Sequence, residues 1–360
     1  MDIEHKKLFL PGPTEVRREV IDAMREWMIG HRSEEMTELY TTIVEDTKDF
    51  FDTDRHVIIL TASGTVFMEG AIRDCAEEKV LSSTCGSFSE RQRQVAERCG
   101  KEVDKLEYEW GKSVRPEDVR EALEKDDYDA FTCVMNETST GVRNPVEEIG
   151  EVLKDFPETT FIVDAISCLG GDYIDIDSSG IDVIFTSSQK AFAMPPGLSI
   201  CIVDEDTYQK SRNTEGRGWY ADFERNIEYY ERKGQTHQTA AIPLMLAYRK
   251  QMKHMLEEGH KERSERHKKM AEYTQDWALE HFGMFPEEGY WSQTVSAIEN
   301  TRGIDVAEVR EKVEEKYQMV FSNGYGSQLK EKTFRIGHMG DHTLEDVKEL
   351  TDAIEDVAGL

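Results

Sequence analysis

Phe161-Ile162-Val163-Asp164-Ala165-Ile166-Ser167 is an apolar run that ends in a carboxylate. A second run, Val183-Ile184-Phe185-Thr186-Ser187-Ser188-Gln189-Lys190, ends in hydroxyls, an amide and an amine. Each is short and continuous, as a strand buried on both faces is. In an open α/β sheet, ligands bind outside the carboxyl ends of the strands, where these polar groups stand. Burying a charge is costly unless a partner is present, so Asp164 suits a cationic partner such as a protonated pyridine nitrogen. A plain turn or N-cap aspartate is the other reading. A lysine just past a buried strand can sit in a dry place where its pKa falls and the free amine becomes nucleophilic, which is what Schiff-base formation with an aldehyde requires. A snorkelling surface lysine is the alternative for Lys190 taken alone. The interval between the two groups fits one strand–connection–strand step, which puts both on one rim.

Outward from this pair the pattern repeats. Strands are predicted over 57–60, 79–83, 130–135 and 198–203, with helical periodicity over 69–77, 89–99, 116–125 and 146–154. Strands alternating with helices predict an α/β fold with a mostly parallel central sheet flanked by helices. The strand at 57–60 runs into Thr61-Ala62-Ser63-Gly64-Thr65, small residues opening a helix. Backbone N–H groups and two hydroxyls there make an anion cradle, or simply a capped helix start. It is not the glycine-rich loop of nucleoside triphosphate sites. The stretch 242–282 reads as one long, charged connecting helix. Beyond it, strands at 295–298, 319–322 and 333–336 with helices at 306–316 and from 343 predict a small C-terminal α/β domain. The expected division is an N-terminal segment 1–15 contributing to the active site, a large domain 16–245, and the connecting helix with the small domain 246–360.

Bulk properties exclude several functions. The 360 residues carry 73 Asp and Glu against 44 Lys and Arg, a net charge of −29, which repels nucleic acid and reads either as surface adaptation, as to a salty cytoplasm, or as an ordinary acidic protein. No stretch approaches the ~20 apolar residues of a membrane helix, and nothing near Met1 resembles a signal peptide, so a cytoplasmic location is expected. The six cysteines form no C-x-x-C pair, and Cys133, Cys168 and Cys201 fall in strand-like runs, as small buried thiols do. No spaced Cys/His set suggests a metal. His254, His260 and His267 lie on the charged helical stretch and are expected in solvent. His31 and Arg32 either approach a substrate or hold the fold together. His338 is a candidate pocket residue, and Asn323-Gly324-Tyr325-Gly326 reads as a turn.

Asp164-Ala165-Ile166-Ser167 with Leu169-Gly170-Gly171, and Ser188-Gln189-Lys190-Ala191 with Pro195-Pro196-Gly197, resemble the class V aminotransferases of pyridoxal-phosphate (PLP) fold type I. Their alanine–glyoxylate and serine–pyruvate group is the most similar. The resemblance extends through Leu10-Pro11-Gly12-Pro13-Thr14, Gly30-His31-Arg32-Ser33, Asn136-Glu137-Thr138-Ser139-Thr140-Gly141 and Phe334-Arg335-Ile336-Gly337. It implies that Lys190 carries pyridoxal 5′-phosphate and shuttles a proton, and that Asp164 pairs with the ring nitrogen. Ile166 and Phe88 would cover the ring's two faces, Thr138 would reach its phenolic oxygen, and Ser63, Gly64, Thr65 and Gln189 would hold the phosphate. Thr236 and Thr239 would reach the phosphate of a second subunit, which implies a homodimer with shared active sites. Arg335 and the backbone at Gly12 would hold the substrate carboxylate. Relatives often carry tryptophan at the position of Phe88 and tyrosine at that of Thr236. The implied activity is ping-pong transamination, with alanine or serine as donor and glyoxylate or pyruvate as acceptor. Other donors, a lyase or desulfurase on the same scaffold, or a non-catalytic binder are the alternatives. A desulfurase needs a mobile cysteine, and none follows Cys201.

Overall fold

The computed structural model describes residues 4–360. Apolar runs bounded by polar turns become the strands of a seven-stranded sheet, in spatial order His56–Leu60, Ser199–Val203, Val183–Ser187, Thr160–Asp164, Ala130–Val134, Lys79–Thr84 and Glu102–Glu107. The last five are parallel to one another, and Ser199–Val203 runs antiparallel to both of its neighbours. The three strands Ala130–Val134, Thr160–Asp164 and Val183–Ser187 are buried throughout, as parallel strands covered on both faces must be. One large apolar cluster packs against helices Glu34–Phe51, Val146–Leu153 and Ile242–Glu258, and a second packs against helix Thr65–Cys75. The sheet therefore lies between two helical layers. Its carboxyl rim carries Asp164 and, just beyond Ser187, Lys190.

A five-stranded sheet forms from Lys7–Phe9, Met319–Asn323, Thr333–Gly337, Val295–Glu299 and Gly283–Met284, with its own core beneath helices His260–His281, Val306–Tyr317 and Leu344–Ala358. Its edge strand comes from the N-terminal segment: Lys7–Phe9 pairs in parallel with 319–321.

The stretch expected to be one connecting helix is two, Ile242–Glu258 and His260–His281. Gly259 between them has φ +86°, a conformation that costs glycine little and others much. Nor are its histidines solvated. His267 is wholly buried; its Nε2 accepts from the Gly340 N–H at 3.0 Å and its Nδ1 donates to the Arg263 carbonyl at 2.7 Å. His260 packs on Phe50, Phe51 and Tyr173, and His254 is half-buried beside Glu19. The charge pattern on this helix misleads because Arg263, also wholly buried, points inward to the carbonyls of Gly170 and Ala191 and to Glu258 and Asp341.

Candidate active site

A cavity of about 210 Å³ opens at the carboxyl rim of the large sheet. Ser63, Gly64, Thr65, Phe88, Thr138, Asp164, Ile166, Gln189 and Lys190 all line it, so nine residues singled out from the sequence meet in one place. Met68, Arg91, Val134, Asn136, Ser167 and Ser187 complete the wall.

The amine and the carboxylate are both withdrawn from water, with opposite consequences. Burial, reinforced by the nearby Arg335 charge and partly offset by Asp164, pushes the Lys190 ammonium down to about 8. Burial pushes the Asp164 carboxyl up to about 7, despite an Ile166 N–H donated to its Oδ1 at 2.8 Å. Both shifts disfavour the charged form, as desolvation does. Lys190 Nζ also donates to the Pro11 carbonyl. The N-terminal segment closes over it: a Cβ at Gly12, whose φ is +115°, would lie 2.6 Å from Nζ. Only glycine fits so close a passage.

On the opposite wall, no side chain caps helix Thr65–Cys75, and Ser63 and Thr65 are exposed beside its N-terminus. Such an end accepts an anion readily. Gly64 packs tightly, since a Cβ there would stand 2.4 Å from Ile166 Cδ1. Ser187 Oγ, Gln189 Oε1 and Asn136 Oδ1 are buried without a hydrogen-bond partner among the described residues. Buried polar atoms are normally paired, so this cavity has the donors and acceptors of a site for a polar group. An uncapped helix end with two hydroxyls, apolar side chains at Phe88 and Ile166, a desolvated carboxylate and an amine of lowered pKa suit a phosphorylated pyridine aldehyde. Ser63, Gly64, Thr65 and Gln189 could hold its phosphate, and Asp164 its ring nitrogen.

The remaining candidates lie elsewhere. Arg335, on strand Thr333–Gly337, is buried and donates from Nη1 to the Thr138 carbonyl at 3.2 Å and from Nε to the Asn323 carbonyl at 3.3 Å. Burial holds its guanidinium down to about 10. Thr236 and Thr239 are not brought to this cavity: the Thr236 hydroxyl donates to the Gln238 carbonyl at 2.7 Å, and Thr239 is exposed. Arg32 donates to the carbonyls of Thr236 (2.5 Å) and His237 (2.8 Å), so it anchors this loop. His31 is exposed. His338 is wholly buried against Ser296 and does not line the cavity.

Among the described residues, no group of three or more His, Cys, Asp or Glu side chains is placed to hold a metal. All six cysteines are free thiols, and burial pushes that of Cys133 up to about 12. No helix among the described residues is long and apolar enough to cross a membrane.

Several wall residues escaped the sequence reading. Asn136 sits in a quoted motif but carries no charge to mark it. Glu137 beside it is wholly buried and accepts from the N–H groups of Phe88, Ser89 and Ser139 and from both serine hydroxyls, which fixes the segment bearing Phe88. Arg91 follows Phe88 by one helical turn; the signal available was that i, i+3 spacing.

The class-V aminotransferase family model matches residues 7–284. An uncharacterized aminotransferase of Methanocaldococcus jannaschii is 39% identical over 346 residues, covering 94% of this chain and 89% of that protein. A serine–glyoxylate aminotransferase of Methylorubrum extorquens is 31% identical, covering 93% and 86%. The crystal structure of an alanine–glyoxylate aminotransferase from a Nostoc species superposes with a TM-score of 0.92 at 28% identity, covering 99% and 96%. With a lysine and an aspartate facing one cavity on a fold of this type, the chain belongs to the class-V aminotransferases, enzymes that depend on pyridoxal 5′-phosphate.

Proposed function

We propose that this aminotransferase moves an amino group between a small amino acid and a small 2-oxo acid in two half-reactions, with alanine or serine as donor and glyoxylate or pyruvate as acceptor. The observation that carries this reading is the Lys190–Asp164 pair: a half-buried amine and a buried carboxylate on one cavity, beyond the ends of neighbouring strands. Bound pyridoxal phosphate supplies an electron sink for the carbanion formed at the donor's Cα. Lys190, with a pKa near working pH, holds the cofactor and then moves the proton from that carbon, as a general base should. Asp164 keeps the ring nitrogen protonated. Ile166 and Phe88 orient the ring, Thr138 binds its phenolic oxygen, and Ser63, Gly64, Thr65 and Gln189 bind the phosphate. Arg335 and the backbone at Gly12 take the substrate carboxylate.

Thr236 and Thr239 act in this reading from a second copy of the chain. Exposed Trp27, Met28 and Trp219 support such an interface, since monomers rarely leave large apolar side chains so bare. Sedimentation at a dimer's mass is expected; a monomer at working concentration would remove these two threonines from the site. The setting proposed is the cytoplasm.

The direct test mixes the cofactor-loaded protein with one amino acid at a time and follows the cofactor's visible absorbance. Alanine or serine should bleach it without an acceptor, and glyoxylate or pyruvate should then restore it. Failure of every amino acid to bleach the band would overturn transamination.

A further inference from the structure

The turn Asn323-Gly324-Tyr325-Gly326 places an aromatic ring beside Arg335 and Phe88. Tyr325 lies 5.1 Å from the Phe88 ring, centroid to centroid. The Arg335 guanidinium carbon stands 5.2 Å from the Tyr325 centroid, and Arg91 Nη2 donates to the Tyr325 hydroxyl at 3.3 Å. Arg91 also lies over Phe88, its guanidinium carbon 5.0 Å from that centroid, and lines the cavity. Two guanidinium groups therefore approach one phenol, one over its face and one at its hydroxyl.

Neither guanidinium has a carboxylate within 4.0 Å among the described residues. Glu137, close enough for its charge to act on Arg335, spends both oxygens on Phe88, Ser89 and Ser139. In a chain of net charge −29, whose other arginines are often paired, exposed Arg91 on the cavity wall and buried Arg335, bonded to the carbonyl of the wall residue Thr138, are two uncompensated cations beside one cavity and draw anions to it. One suffices for an α-carboxylate. Alanine gives the second nothing to bind, and serine gives it only a neutral hydroxyl.

Resting on the transaminase reading above, we propose that Arg91, oriented by Tyr325, is a specificity-determining residue that binds an anion on the donor's side chain while Arg335 binds the α-carboxylate. The preferred donor is then an amino acid with an acidic side chain, such as aspartate, and the alanine and serine of the reading above become slower donors. Arginine is suited to this, because its planar fork matches a carboxylate.

The test has two arms. In the first, kcat/KM is measured for aspartate and for alanine in the loaded wild-type, R91M and R91K enzymes. Wild type should favour aspartate. R91M should lower the aspartate-to-alanine ratio by about 10- to 100-fold, the scale of a lost charge-assisted hydrogen bond, and R91K should restore part of it. An unchanged ratio in R91M, or a wild type that favours alanine, overturns the assignment and leaves transamination standing. In the second arm calorimetry compares succinate with propionate, neither of which reacts. Succinate should bind more tightly to wild type, and R91M should erase that advantage; equal binding to wild type overturns the second anion site even if no amino acid is turned over. Failure of all amino acids to bleach the cofactor band strikes the transaminase reading instead.

Discussion

Lys190 and Asp164 owe their chemistry to what covers them. Pro11 and Gly12 shut the lysine off from water, and the strand end does the same for the aspartate, so each is held toward its neutral form until a partner arrives. A lysine whose pKa is lowered is a free amine above about 8 and an ammonium below it. Capture of pyridoxal phosphate by the apoprotein should therefore speed up as pH rises from 6 and level above about 8; a stopped-flow rate still climbing about tenfold per pH unit at pH 9 would place the amine in solvent. K190A should retain the fold by circular dichroism and lose turnover entirely, and unchanged rates would refute its role. Both residues were legible in the sequence, because an apolar run ending in a charge is a local signal that desolvation makes unusual. The Arg91–Tyr325 contact was not. It joins residues 234 positions apart, and neither side chain carries any local mark of that meeting.

At the scale of elements, helix Ser87–Arg98 shows how a buried carboxylate can replace a surface cap. Glu137 reaches the N–H groups at its first turn from a separate strand, and Gly86 must be glycine, since a Cβ there would come 2.4 Å from Glu137 Cγ. Replacing Glu137 by alanine leaves the N–H groups of Phe88, Ser89 and Ser139 and the Ser139 hydroxyl short of an acceptor, while the Ser89 hydroxyl keeps the Gly86 carbonyl. We expect a loss of about 3 kcal/mol or more in urea unfolding, together with weaker cofactor retention as Phe88 loosens; a loss below about 1 kcal/mol would show that water replaces the carboxylate. The same scale explains the misread connecting helix. An isolated glycine in a helical pattern is tolerated often enough that periodicity alone carried the reading through 259. Its positive φ, and a Glu262 oxygen 2.4 Å from where a Cβ would stand, make G259A destabilising by about 1 kcal/mol or more in thermal unfolding. The strands were easier, since burial on both faces writes a continuous apolar run.

Across the whole molecule, Asp341 ties together parts distant in the chain. It accepts from Arg17 at 2.6 Å near the N-terminus, from wholly buried Arg263 at 2.9 Å in helix His260–His281, and from Gln251. These guanidinium groups hold its carboxyl well below the usual carboxylate range. A depressed folded-state pKa means the unfolded chain binds the proton first, so this stability is fully present above about pH 4 to 5 and is lost as pH falls further. D341N should cost about 1–3 kcal/mol at pH 7, because it removes one of the two carboxylates on buried Arg263 and leaves Glu258 as the other, and should flatten the acid limb of the stability curve; a variant as acid-sensitive as wild type would refute this. None of it was legible beforehand, because the partners come from three separated stretches.

Pairing of Lys7–Phe9 with 319–321 has a consequence for biosynthesis. The strand at 7–9 must wait, edges bare, until 319–321 has emerged to receive it. Until then the strand pairing does not hold Pro11 and Gly12 above the amine at 190, so a nascent chain presents that lysine more openly to water, mostly as the ammonium and slow toward aldehydes. Full reactivity arrives only once 319–321 has emerged.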